Sequence, residues 1–317
     1  MVPLVASARA GRVTWSALHV RVLLNDSAAT RARTGAAGDV RGRLRDAFAA
    51  VGVEAHVRMV AGAHLADAAH DALACGPDAV VAAGGDGTVS AVASALAGTH
   101  TPLGVLPLGT LNHFAKDLGI PLALDQATRT VANRRVRAVD VGDVNGQVFI
   151  NNGSIGMYPH VVGAREELRR RLGHGKWVAM ALAIVSVFRR SPTVDVRIIA
   201  GERESVRRKM PFVFVGNNRY DVTLLAIGRR ERLDRGELSL YFSRRAGRTA
   251  VLRLALRALL GRLEQDRDFE SMTLREFWID TRRRHLHVAI DGEVRTLLPP
   301  LHFRCRPRAL NVLVPAR

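Results

Sequence analysis

The sequence predicts an α/β N-terminal domain built on a parallel sheet, followed by a mainly antiparallel β C-terminal domain. Three observations carry that prediction. In the first part, short apolar runs alternate with stretches of helical period, as strand–helix–strand units with right-handed crossovers require. From about Val136 that rhythm gives way to strand-like runs separated by turns. And a chain of 317 residues corresponds to about two domains at roughly 150 residues each. The expected parts are 18–138, 139–305, and a strand within 306–317 that returns to the first domain. The boundary is a change of period, not a linker, and no internal repeat or low-complexity segment interrupts the chain.

His19–Asn25 (HVRVLLN) reads as the first strand, with an amphipathic stretch at Asp39–Ala50. Val53–Met59 is a second strand and Leu65–Ala74 a helix. Asp78–Ala83 (DAVVAA) is a short apolar, β-branched run closed by glycines, as a strand buried on both faces requires. Val89–Leu96 is small and compatible with helix, Leu103–Leu106 is the next strand, and Leu111–Leu118 opens another helix. Asn145-Gly146, between Val139–Val144 and Val148–Asn151, is a two-residue hairpin signal. Strand-like runs follow at Val194–Ile199, Phe212–Val215, Leu238–Phe242, Thr273–Ile279, Leu286–Ile290 and Leu310–Val314. Helical stretches lie at Ala164–Trp177, Val178–Phe188 and Ala250–Leu263.

Composition narrows the function classes. The 48% apolar share is that of a globular chain that buries a core without staples. Cys75 and Cys305 stand outside any C-x-x-C spacing, so two free thiols in a reducing compartment are expected. Val2–Ala6 is shorter than a secretory apolar segment, and Trp177–Phe188 is too short to span a bilayer. The expected location is cytoplasmic. The formal charge is +18, and all but Lys116, Lys176 and Lys209 of the 47 basic residues are Arg. A GC-rich coding bias accounts for Arg over Lys but not for the sign. A positive field favours nucleotides, phospholipid head groups or nucleic acid. With 5% aromatics and no helix-turn-helix, zinc-finger or RNP pattern, no nucleic-acid partner is expected.

Gly84-Gly85-Asp86-Gly87-Thr88 lies directly after a predicted strand and before a helix. Its glycines permit positive φ and close backbone approach, and its N–H groups with the helix N-terminus suit phosphate. It is neither the Walker spacing nor GxGxxG. A tight strand-to-helix turn is the plainer reading, but such a turn has no need of Asp86, a carboxylate that suits Mg²⁺ or a hydroxyl proton. One unit later, Pro107-Leu108-Gly109-Thr110-Leu111-Asn112 again follows a strand and opens a helix. Both loops fall at carboxyl ends of neighbouring strands, where open α/β sheets bind ligands. Asp291 falls at a strand tip after Leu286–Ile290. There it can serve as a proton acceptor, or Asp291-Gly292 can simply be a hairpin turn.

GGDGT followed by PLGTLNHFAKDLGIP resembles the diacylglycerol kinase catalytic family, which includes sphingosine kinases and bacterial lipid kinases. The resemblance continues through Val139–Gly142, Asn151–Gly156, Gly216-Asn217 and Ala289–Glu293, covering about Val20 to Pro315. It implies an NAD kinase-like α/β nucleotide-binding domain, a C-terminal β-sandwich lipid-substrate domain, and ATP between them. It implies a lipid kinase that moves the γ-phosphoryl group of ATP to a hydroxyl of a lipid such as diacylglycerol or a sphingoid base. Gly84, Gly85, Asp86, Gly87 and Thr88 would cradle the phosphates, with Asn25, Gly109, Thr110 and Asn112 alongside. Asp291 would be the general base with Glu293 beside it, and Asp86 and Asp140 would serve Mg²⁺.

Some positions depart from the family pattern. The NPxSG segment reads Asn25-Asp26-Ser27-Ala28-Ala29, His113 stands where most relatives carry Asp, and Arg235 replaces the carboxylate of DDGxL. These changes bear on the metal more than on the nucleotide. They leave open a catalytically impaired nucleotide-binding regulatory protein of the same fold. A soluble-substrate kinase of the NAD type fits the shared GGDGT. Glu166–Arg171, Lys176-Trp177, Val178–Phe188 and Arg189-Arg190 place an apolar helix between basic flanks. That suits either peripheral contact with an anionic membrane or a buried domain helix. The basic stretch Arg244–Arg262 suits a solvated face. A homodimer through an edge strand of the β half is a further expectation. Diacylglycerol, sphingoid base, phosphatidylglycerol and isoprenoid alcohol remain undistinguished as acceptors.

Overall fold

The structure, a computed structural model, describes residues 18–28, 39–156, 194–201, 204–220, 230–243 and 269–316. The helical stretches expected at Ala164–Trp177, Val178–Phe188 and Ala250–Leu263 lie outside these residues. Strand β1 (Leu18–Asn25) runs parallel between β2 (Val53–Val60) and β3 (Ala79–Gly84), and β3 pairs with β4 (Leu103–Pro107). Helices α1 (Val40–Ala49), α2 (Leu65–Ala74), α3 (Asp86–Leu96), α4 (His113–Asp117) and α5 (Leu124–Ala132) complete this half. All of β3 is buried because both sheet faces are covered. Val80 and Ala82 pack with α2 and α3 on one side, while Val81 and Ala83 pack with α1 and α5 on the other. Helix α4 starts later than Leu111 because Asn112 takes a left-handed φ of 51°.

After β5 (Val136–Val144) the described strands pair mainly antiparallel, as the sequence predicts. Strands β6 (Gln147–Phe149), β7 (Asn152–Gly156), β8 (Val194–Ala200), β9 (Glu204–Met210), β10 (Phe212–Asn217) and β11 (Leu238–Ser243) follow. Next come β12 (Phe269–Leu274), β13 (Glu276–Thr281), β14 (Leu286–Ile290), β15 (Glu293–Leu297) and β16 (Leu301–Leu313). A six-stranded sheet, ordered β12-β11-β10-β7-β14-β15, faces the antiparallel end of a ten-stranded one. Phe277, Ile279 and Phe303 from the larger sheet meet Ile155, Val215, Leu240 and Val288 from the smaller in one sandwich core.

The ten-stranded sheet runs through both halves, because β16 belongs to each. Its first residues pair with β13 (Phe303 with Phe277), and Val312 pairs with Leu103 of β4. Along β5 its register shifts between Arg306 and Leu310. Pro307 has no N–H to give a ladder and sits in that shift, where Arg308 has a φ of 51°. The sequence placed a strand only at Leu310–Val314, did not anticipate β7, β9 or β15, and read as one run, Thr273–Ile279, what the structure divides between β12 and β13. Among the described residues, no helix is long and apolar enough to cross a membrane.

Candidate active site

The first glycine loop is shaped by what its glycines leave room for. A Cβ on Gly84 would collide with the Thr88 side chain, which folds back over the loop. Thr88 Oγ1 accepts a hydrogen bond of 2.9 Å from Asn25 Nδ2, and Asn25 Oδ1 accepts from Ser27 N at 2.9 Å. The end of β1 and the start of α3 are thus fastened together. No side chain caps α3, and the N–H groups of its first turn have no carbonyl within the helix. A Cβ on Gly87 would meet nothing within 4 Å, so the loop is open outward there.

The second loop lies against the first. Leu108 N donates to Gly84 O at 2.9 Å, and a Cβ on Gly85 would stand 3.3 Å from Gly109 Cα. Asn112 spends its amide on its own loop: Oδ1 accepts from Gly109 N at 3.1 Å, and Nδ2 donates to Gly109 O at 2.9 Å. It therefore scaffolds the loop, where sequence reasoning expected it to face the nucleotide. Thr110 is exposed at the tip. Asp86 Oδ1 accepts from Phe114 N at 3.4 Å, tying the first loop to α4.

Asp291 is a hairpin-turn residue, the plainer of its two sequence readings. Asp291 and Gly292 are the two turn residues between β14 and β15, with φ of 47° and 90°, and positive φ at both suits a tight hairpin. The side chain nevertheless turns inward. Oδ1 accepts from Asn151 N at 2.8 Å and Asn152 N at 2.9 Å. Oδ2 accepts from Ile150 N at 2.9 Å and from the Ser90 hydroxyl at 2.5 Å. Burial pushes its pKa above the ordinary Asp range, opposed by the bonds from Ser90, Ile150, Asn152 and Asn151. Ser90 lies on α3, so this bond brings Asp291 to the helix that the first glycine loop opens. Glu293 is exposed and pairs with Arg295 at 3.4 Å. Among the described residues it makes no hydrogen bond or ion pair to Asp291 or to either glycine loop.

Asp140 is not joined to Asp86 by any described contact. It is 1% exposed, and both its oxygens take backbone donors, Gly236 N at 2.6 Å and Arg308 N at 2.8 Å. Its carboxylate therefore clasps the 230–237 loop to the shifted register of β16, and it does not fit a metal ligand. Asp86 does fit Mg²⁺ held with phosphates, since that ion is commonly bound through one or two carboxylates plus substrate oxygens. Among the described residues no group of three or more His, Cys, Asp or Glu could hold a metal unaided.

Four residues of the site escaped sequence reasoning: Ser90, Asp117, Tyr220 and Arg230. Arg230 is 2% exposed and binds Asp117 Oδ2 through Nε at 2.8 Å. It also donates to Ile150 O at 2.7 Å, Asn217 O at 3.1 Å and Asn151 Oδ1 at 2.8 Å. Tyr220, 5.0 Å beneath the guanidinium, donates to Asn151 O at 3.0 Å. This buried cation joins α4 to the 150–152 turn whose N–H groups hold Asp291. Only the spacing of Ser90, four residues after Asp86 on one helix face, was available to point at any of them.

Comparison with known proteins finds similarity over both halves of the chain. Residues 19–144 match the family model of the diacylglycerol kinase catalytic domain. Residues 153–314 match that of the YegS C-terminal NAD kinase beta sandwich-like domain. The chain is 30% identical to a diacylglycerol kinase of Mycobacterium tuberculosis (H37Rv) over 303 residues, 92% of this chain and 93% of that one. It is 39% identical to a "Probable lipid kinase YegS-like" of Pseudomonas syringae pv. tomato over 116 residues, 36% of this chain but only 38% of the relative. A crystal structure assigned as a diacylglycerol kinase of Bacillus anthracis str. Sterne superposes with a TM-score of 0.73 at 22% identity, over 96% of this chain and 98% of that one. This last likeness speaks for the fold.

Proposed function

The chain belongs to the diacylglycerol kinase family, and from that premise we propose that it transfers the γ-phosphoryl group of ATP to a hydroxyl of a lipid. Diacylglycerol and a sphingoid base are the first acceptors to test. One observation carries the reading: the 2.5 Å bond from Ser90 to Asp291 sets a carboxylate one helical turn from the glycine loop. Residues four apart on a helix lie about 5–6 Å apart at Cβ. A phosphate at Asp86–Thr88 and an alcohol near Ser90 are then within reach of one another.

In this reading the Gly84–Thr88 N–H groups and the α3 N-terminus hold the phosphates, with Thr110 beside them. Asp86 holds Mg²⁺, which when bound neutralises phosphate charge. Asp291 is the base that finally accepts the proton released as the hydroxyl attacks, a role suited to a carboxyl whose pKa is raised. Glu293, exposed and paired with Arg295, has no part in proton transfer. The lipid is met at the surface of an anionic cytoplasmic membrane by peripheral contact, a reading supported by the net charge of +18.

Incubation with Mg²⁺, γ-labelled ATP and a total lipid extract tests it. Labelled lipid from the wild type and none from Asp291→Asn, with ATP binding kept in both, is the expected result. A second reading, a nucleotide-binding regulatory protein, is favoured by the full engagement of Asp140 by backbone donors. It predicts ATP binding with no labelled lipid, and NAD as acceptor separates it from a soluble-substrate kinase.

A further inference from the structure

The Asp291 carboxylate leaves no place for the acceptor alcohol to bind it directly. An ionised carboxylate offers about four lone-pair sites, and four donors occupy them. Three are backbone N–H groups of Ile150, Asn151 and Asn152. These cannot swing away, because Arg230 grips the Ile150 carbonyl and the Asn151 side chain, and Asn152 O accepts from Asp291 N at 2.8 Å. The fourth is the Ser90 hydroxyl, a single rotatable group on a residue that is only partly buried.

We propose that Ser90 is a catalytic residue that relays the proton of the acceptor hydroxyl to Asp291, an inference that rests on the kinase reading above. Ser90 shares a helix face with Asp86, so its oxygen lies between the phosphate end of α3 and the carboxylate. As the acceptor oxygen bonds to phosphorus and the bond from phosphorus to the leaving ADP oxygen breaks, the acceptor's proton passes to Ser90 Oγ. The proton already on Ser90 passes to Asp291 Oδ2. Asp291 then releases it to water, so alcohol and ATP become phosphate monoester, ADP and one proton. Pushing Ser90 aside instead would sacrifice a short bond to a charged acceptor, of the stronger kind, before any chemistry began.

The test uses the full chain, Mg²⁺, γ-labelled ATP and phosphatidylcholine vesicles carrying diacylglycerol, with the total lipid extract in parallel. Ser90→Ala should lower the single-turnover rate by about 100-fold, the lower end of the range for a positioned proton-transfer group, with ATP affinity unchanged. Ser90→Thr keeps a hydroxyl and should recover much of that loss. In mixtures of light and heavy water the wild-type rate should follow a curved, two-proton dependence, and this readout needs no variant. A Ser90→Ala rate at or above wild type, or a linear dependence in wild type, overturns the relay. If wild type labels lipid and Asp291→Asn does not while Ser90→Ala does so at the wild-type rate, the relay alone fails. If wild type binds ATP and labels no lipid, the kinase reading fails and the relay with it.

Discussion

Removing the Arg230 guanidinium should cost the fold several times what an exposed ion pair contributes. The side chains of Arg230 and Asp117 are 0% and 5% exposed. Arg230→Ala leaves the Asp117 carboxylate without its counter-charge, keeping only the backbone N–H of residue 230 at 3.2 Å of the two bonds it has from Arg230, and takes a donor from Ile150 O, Asn217 O and Asn151 Oδ1. Breaking one side of a buried pair costs about 3–5 kcal/mol, mostly because the surviving charge stays buried without compensation. The chain supplies its own control. Arg207–Asp195 is 53% and 32% exposed, and a pair of that kind contributes about 0–1 kcal/mol. Urea unfolding of Arg230→Ala and Arg207→Ala, followed by tryptophan fluorescence, gives the comparison. Replacing both buried partners, Arg230→Met with Asp117→Leu, should recover much of the loss because no charge is left stranded. Equal losses for the two alanine variants would refute the view that Arg230 anchors the 150–152 turn.

Gly109→Ala should weaken nucleotide binding, because its Cβ would collide with Gly85 Cα and stand 2.7 Å from Asn112 Oδ1. Backbone cannot yield as a side chain does, so the loops must part, and a fluorescent ATP analogue reads the loss. Asp291 must be ionised to accept a proton and its pKa is raised. A kcat/KM profile should therefore decline on its acid side from above about 3.9, the ordinary Asp value, and an acid limb at that value would remove burial as the cause. The stability sign is opposite: a raised carboxyl contributes stability below its unfolded pKa that is lost as pH rises through the folded one. Of the two thiols, exposed Cys75 should react with a disulfide reagent at pH 8. Cys305, pushed up to about 12 chiefly by burial, should react only on unfolding.

What the sequence made legible were features with a local steric cause. The glycine loops could be placed because only glycine permits Gly85 and Gly109 to touch, and both hairpins because Asn145-Gly146 and Asp291-Gly292 accept positive φ. Strands β9 and β15 escaped because they are sheet edges: ESVRRKM and EVRTL carry charges where a central strand shows apolar alternation. Strand β16 was cut short because Pro307 reads as a breaker, whereas here it falls where the register shifts. Arg230 had no local signal among so many arginines. Its role comes from Asp117, Ile150 and Asn217, brought to it by the fold alone. Asp140 misled in the other direction, since the family resemblance assigns it to Mg²⁺ and the structure surrounds it with backbone donors.

Strand β16 also governs how this chain comes to be folded. Until Val312 is synthesised, β4 has among the described residues only β3 to pair with, and β5 waits for the same partner. The nascent N-terminal half therefore leaves the ribosome with a bare sheet edge, a template for wrong pairing. Its closure depends on contacts of very long sequence separation, which form slowly. Both halves need β16 to complete their sheet, so a chain cut before Leu310 should populate an aggregation-prone species instead of an independently folded nucleotide domain.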